Sequence, residues 1–138
     1  MSTGSATDIA ANVRGFLESP IAGVVTTLRR DGWPHSTVVW VDVDDHGVSF
    51  NTAVGRAKER HLRADPRVAL AVVDPADAYR WVSLTGTAEL AVEGADAQID
   101  RLARKYLGKD EYPWRRPDQQ RISVRISPTR VEAHGLGD

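Results

Sequence analysis

"VSFNTAVGRAKERHLRADPRVALAVV" fills residues 48–73, and its reading decides the fold. Residues 48–52 form a short strand-like run. Gly55 interrupts the pattern, and residues 56–64 read as a short helix carrying Arg56, Lys58, Arg60, His61 and Arg63. Asp65-Pro66 ends that helix. Residues 67–73, RVALAVV, are a continuous apolar run, which implies a strand buried on both faces or one closed into a barrel.

Towards the N-terminus, residues 35–43 (HSTVVWVDV) read as one strand. Thr37, Val39, Val41 and Val43 share one face; Ser36, Val38, Trp40 and Asp42 share the other. Residues 21–28 (IAGVVTTL) are rich in β-branched residues and form a strand before an Asp-Gly turn. With 48–52 these make a three-stranded meander. Residues 8–18 read as a helix with Ile9, Val13, Phe16 and Leu17 near one face, and residues 1–7 as a loose, polar N-terminus.

Towards the C-terminus, residues 81–92 form a long strand whose interior Gly86 marks a bulge or corner. Residues 95–107 form an amphipathic helix. A loop leads to residues 121–127, where Ile122, Val124 and Ile126 point inward. The order is helix, three strands, helix, two strands, helix, strand. Short hairpins without regular strand–helix alternation predict a mainly β (α+β) fold: a six-stranded antiparallel barrel with peripheral helices, one domain over residues 8–138.

The 138 residues carry a net charge of −1, so the basic helix is a local feature that suits a small anion better than a nucleic acid. With no cysteine, disulfides and thiolate chemistry are excluded. No apolar run is long enough to span a bilayer, and no signal segment is recognisable, which points to the cytoplasm. Neither a dinucleotide fingerprint nor a P-loop is present, and the four histidines lack metal-ligand spacing. No metal is expected.

A helix that starts after a strand and a glycine offers unpaired N–H groups and partial positive charge to an anion. Arg56 adds a planar fork and Lys58 a point charge. On an ideal helix Lys58 points about 200° away from Arg56, at roughly 3.6 residues per turn. One ligand meets both only if Arg56 belongs to the loop. The competing reading is a solvated face with i, i+4 pairs such as Glu59 with Arg63.

The pieces TLRRDGWPHST, GRAKERHLRADPRVAL, YRWVSLTGTAEL and IDRLARKYLGKDEYPWRR, in that order, resemble the pyridoxamine 5′-phosphate oxidase-like split β-barrel superfamily. Within it they are most similar to the coenzyme F420 (deazaflavin)-dependent reductases of actinobacteria. The resemblance implies a homodimer with cofactor sites at the subunit interface. It assigns the cofactor phosphate to Arg56 and Lys58, with Ala57 between them and Arg60 and His61 near the same tail. Asn51 and Thr52 match polar positions beside the phosphate or ribityl chain. Ser36, Thr37 and Val38 match the backbone along the ring system, and Tyr79, Arg80 and Trp81 a segment that reaches the cofactor across the interface.

The activity implied is hydride transfer to an unsaturated small molecule, with no catalytic side chain required. Trp40, Trp81, Trp114 and Tyr79 are candidates for stacking or for substrate walls, and His35 for proton donation. The alternatives are an FMN-binding oxidoreductase on the same barrel, or a non-catalytic carrier of deazaflavin or haem. The vitamin oxidases have a longer chain with an arginine-rich C-terminal motif, which VEAHGLGD does not match.

Overall fold

The run 35–43 is two strands. In the computed structural model, which describes residues 9–137, pairing breaks at Trp40. β2 (Pro34–Val39) pairs with β1 (Gly23–Leu28), whereas β3 (Val41–Asp44) pairs with β4 (Gly47–Ala53). β5 (Arg67–Val73), β6 (Trp81–Ala91) and β7 (Arg121–His134) complete one antiparallel sheet, in the order β2-β1-β5-β6-β7-β4-β3. β2 and β3 are therefore its two edges, yet only Trp40 separates them. The sheet must curl until its ends meet, and this makes the split barrel. The expected six strands become seven, and the expected meander is divided between the two ends of the sheet. The N-terminal segment 1–7 lies outside the described residues.

The inward faces supply the core. Val25, Phe50, Leu70, Leu84, Val124 and Ile126 are all essentially inaccessible, and burying such side chains stabilises by about 1.5–3 kcal/mol each. α1 (Ala11–Glu18) adds Val13, Phe16 and Leu17 to it. In β5, Val68, Leu70 and Val72 are buried while Arg67, Ala71 and Val73 are exposed, so its apolar run belongs to a barrel strand with one outer face.

β7 continues past residue 127 to His134 because Pro128 sits at a bulge. Gly86 opposes Pro128 and Thr85 opposes Arg130, which leaves Thr129 as the extra residue. A Cβ on Gly86 would lie 2.0 Å from the carbonyl oxygen of Ser127, so only glycine permits this approach.

α2 (Ala57–Ala64) joins β4 to β5, and α3 (Ala95–Leu107) joins β6 to β7. α3 fastens the split. The Tyr106 hydroxyl accepts from the Val41 N–H (3.0 Å) and donates to the Ile21 carbonyl (2.7 Å). The Lys105 ammonium donates to the carbonyls of Leu17 and Val41. Trp40 stacks on Tyr106, with ring centroids 5.4 Å apart. α3 also covers the outer side of β4, which is why every residue of that strand is buried.

Candidate functional site

Gly55, at φ +92°, turns the chain from β4 into α2. Its N–H donates to Glu59 Oε1 (2.9 Å), so a carboxylate inside the first turns ties down the entry loop. Arg56 is the N-cap, with extended backbone (φ −73°, ψ 159°) and no capping side-chain bond. It therefore belongs to the loop, the condition under which it and Lys58 face one ligand. Both line one cavity of about 190 Å³.

The cavity lies where the barrel splits. Val38 and Trp40 border it from the β2–β3 break, Asn51 and Thr52 from the end of β4, and Tyr112 and Trp114 from the loop after α3. Arg121, the first residue of β7, closes it. Strict alternation sends Arg121 outward, away from Ile122, and outward at this end means beneath α3 and its following loop. Arg121 is only 5% exposed.

The electrostatics are mainly positive. Among the described residues, no carboxylate stands within ion-pair distance of Arg56, Lys58 or Arg121. Burial, and then the positive fields of Arg56 and Arg121, hold the Lys58 ammonium below its ordinary pKa. Burial is also the main cause that lowers the Arg121 guanidinium; Tyr112 and the more distant Asp96 oppose the shift, while Arg56 adds to it. The Thr52 hydroxyl, in a residue 1% exposed, is buried without a hydrogen-bond partner. Such a cluster attracts an anion and repels itself without one.

A family model described as pyridoxamine 5′-phosphate oxidase matches residues 9–135, nearly the entire chain. The chain belongs to the pyridoxamine 5′-phosphate oxidase family. A biliverdin reductase of Mycobacterium tuberculosis that depends on reduced coenzyme F420 is 29% identical over 125 residues, covering 91% of this chain and 88% of that protein. The solved structure of an F420 reductase superposes with a TM-score of 0.75 at 28% identity, covering 86% of this chain and 94% of the other. A conserved hypothetical protein of M. tuberculosis, 24% identical, shares the fold with a TM-score of 0.74 over 99% of this chain and 91% of its own.

This family member brings Val38, Asn51, Thr52, Arg56 and Lys58 together, with Ala57 in the adjoining first helical turn. Asn51 lines the cavity, but its hydrogen bonds all go to protein groups. The other expected residues lie elsewhere. Arg60 and His61 border a separate cleft with Arg29, Arg30 and Asp31 at the β1–β2 hairpin. Arg60 also donates to the Gly55 carbonyl, and Arg63 pairs with Glu59. Within the basic run, Arg56 and Lys58 face the cavity, whereas Arg60 and Arg63 are taken up by contacts inside the chain.

His61 Nδ1 lies 2.9 Å from the Thr27 hydroxyl, its ring packed edge-on to His35 with centroids 5.2 Å apart. Burial first, then His35, lowers the pKa of His61. Ser36 bonds Thr26 across the hairpin, and the Thr37 hydroxyl is buried and unpartnered. Tyr79, Arg80 and Trp81 do not line the cavity: Arg80 pairs with Asp74, and Trp81 stacks on His134.

Sequence reading missed Tyr112 and Arg121. Their signal was faint: Arg121 looks like any polar residue of an alternating strand until α3 is known to cover that side.

Proposed function

We propose that the chain is a coenzyme F420-dependent reductase that passes a hydride to an unsaturated small-molecule acceptor. The observation that carries this reading is a set of cations with no counterion among the described residues, Arg56, Lys58 and Arg121, on one cavity of a fold whose relatives include F420-dependent reductases. The cofactor's anionic groups fit that set. Arg56 and Lys58 would hold its phosphate, and Thr52 would supply a hydroxyl once the wall relaxes. When bound, the cofactor supplies the hydride chemistry, so the chain's own residues bind, orient and exclude water. Trp40, Tyr112 and Trp114 provide flat apolar walls.

We further propose a homodimer. Val38, Val24 and Ala71 lie side by side on the outer face of β2, β1 and β5, and Val38 is 69% exposed. A second copy would cover this row and bring the exposed Tyr79 towards the partner's cofactor. Light scattering should return twice the chain mass.

The same cations suit the phosphate of FMN, which makes FMN the competing occupant. Titration of purified protein with F420 and with FMN, followed by fluorescence, tests the reading. Tight F420 binding and oxidation of reduced F420 by a quinone, enone or linear tetrapyrrole are expected. Micromolar FMN binding without F420 binding overturns it.

A further inference from the structure

Arg121 is held in place without being neutralised. Its Nε donates to Asn51 Oδ1 (2.9 Å) and its Nη1 to Gln119 Oε1 (3.1 Å). Its guanidinium carbon stands 5.1 Å from the centroid of the Tyr112 ring. All three partners are uncharged. A guanidinium has five N–H groups, so most of its donor capacity remains for something else. Buried cations ordinarily pair with an anion.

The supporting hydrogen bonds run in one direction. Asp42 Oδ2 accepts from Gln98 Nε2 (3.2 Å), which also donates to Ser49 Oγ (2.9 Å). This fixes the Gln98 amide with its oxygen towards Asn51, whose Nδ2 donates to it at 2.9 Å and to the Ala95 carbonyl at 2.9 Å. Asn51 is thereby fixed with its oxygen towards Arg121. The carboxylate that anchors the chain stays two amides away, and Arg101 already pairs with it at 3.0 Å. A direct Asp–Arg121 pair would have cancelled the charge; two intervening amides orient the guanidinium and leave the charge available.

We infer that Arg121 is the third cation of a phosphoryl-binding site shared with Arg56 and Lys58, and that Gln98, acting through Asn51, is its positioning residue. The inference rests on the cavity being an anion site, not on which cofactor fills it. The ligand class is a phosphoryl anion, whether the phosphodiester of a deazaflavin or the monoester of a flavin.

The test uses the full chain and three probes: F420, FMN and inorganic pyrophosphate. Arg121→Met should weaken each probe that wild type binds by about ten- to a hundredfold, the range of a charge-assisted hydrogen bond. The ligand-free variant should melt near the wild-type temperature, because the loss of a buried unneutralised charge offsets the hydrogen bond that Asn51 Oδ1 loses. A purely structural arginine would give the opposite pair, a lower melting temperature with unchanged affinity, and that result overturns the inference. Gln98→Leu should weaken the same probes by a smaller factor, about three- to tenfold, and should have no further effect in the Arg121→Met background. Equal effects of Gln98→Leu in both backgrounds refute the positioning role. Pyrophosphate and FMN binding that depends on Arg121, with no F420 binding, leaves this inference standing and removes the F420 reading. F420 binding that ignores Arg121 does the reverse.

Discussion

The segments GRAK (55–58) and YRW (79–81) both carry an arginine expected at the cofactor, and the fold treats them differently. Arg80 meets Asp74 at 3.1 Å, donates to the Gly135 carbonyl and lies over the Phe16 ring. Among the described residues, Arg56 and Lys58 meet no carboxylate, and they share a cavity with Arg121. An arginine matched by a carboxylate builds the structure. A partly buried cation without one carries a desolvation cost that an anion from outside the chain can offset. The difference separates ion pairs made within the chain from cations left unmatched around a cavity, and it is absent from residue type.

The largest effect should come from the unmatched side. Lys58→Ala and Arg56→Ala are each expected to weaken F420 binding by about 1.5–3 kcal/mol, as for charge-assisted hydrogen bonds. The Lys58 contribution depends on pH. Its pKa is lowered in the free protein and a bound anion would raise it, so affinity should be complete below the free value and fall as pH rises through it. That decline should begin at lower pH than an ordinary lysine would give and should be missing in Lys58→Ala. Calorimetric titration across alkaline pH measures both. A wild-type profile parallel to that of the variant would show that Lys58 makes no contact with the anion.

On the matched side, Glu59 is 6% exposed and accepts from the Gly55 N–H and from Arg63. The Gly55 N–H, and then Arg63, hold its carboxyl below the usual range. Because the folded value is depressed, the stabilisation is present above the unfolded pKa, about 4.3, and is lost as pH falls through the folded value. Glu59→Gln should cost about 1–1.5 kcal/mol at neutral pH, the gap between charged and neutral hydrogen bonds. Denaturant unfolding should show the gap closing in acid; a gap that persists there would mean the charge is not its source. Arg80→Ala should cost about 1 kcal/mol of stability, since its ion pair is partly exposed, while F420 affinity per site stays at the wild-type level. A large affinity loss with unchanged stability would transfer Arg80 to the ligand-binding class.

Much of this contrast was legible in the sequence, for identifiable reasons. Arg56 and Lys58 could be singled out because a glycine, a strand end and a helix start are local signals. The division at Trp40 was not legible, because residues 35–43 alternate without interruption. What separates the two strands is pairing with opposite edges of the sheet and the grip of Tyr106 and Lys105 on Val41, all long-range. The strand end at 127 was misplaced because Pro128 normally stops a strand, and only the bulge opposite Gly86 accommodates it. Arg121 stayed hidden because one face of its strand becomes interior only after α3 has packed.

The smallest expected effect tests the comparison inside a single helix. Arg63 lies two turns from Arg56 and would share its face on an ideal helix, so a purely electrostatic view of the basic run gives it a role in binding. Its guanidinium instead pairs with Glu59 at i, i+4, where the neighbouring carboxylate cancels its field. Arg63→Ala should therefore change F420 affinity by less than about 0.5 kcal/mol, below the charge-assisted range. Glu59 keeps the Gly55 N–H in that variant, so the loop carrying Arg56 stays anchored and an affinity change cannot be blamed on its loss. If Arg63→Ala weakened binding as much as Lys58→Ala, the whole run would act as one diffuse cationic surface, and pairing with a carboxylate would no longer predict which cations serve the ligand.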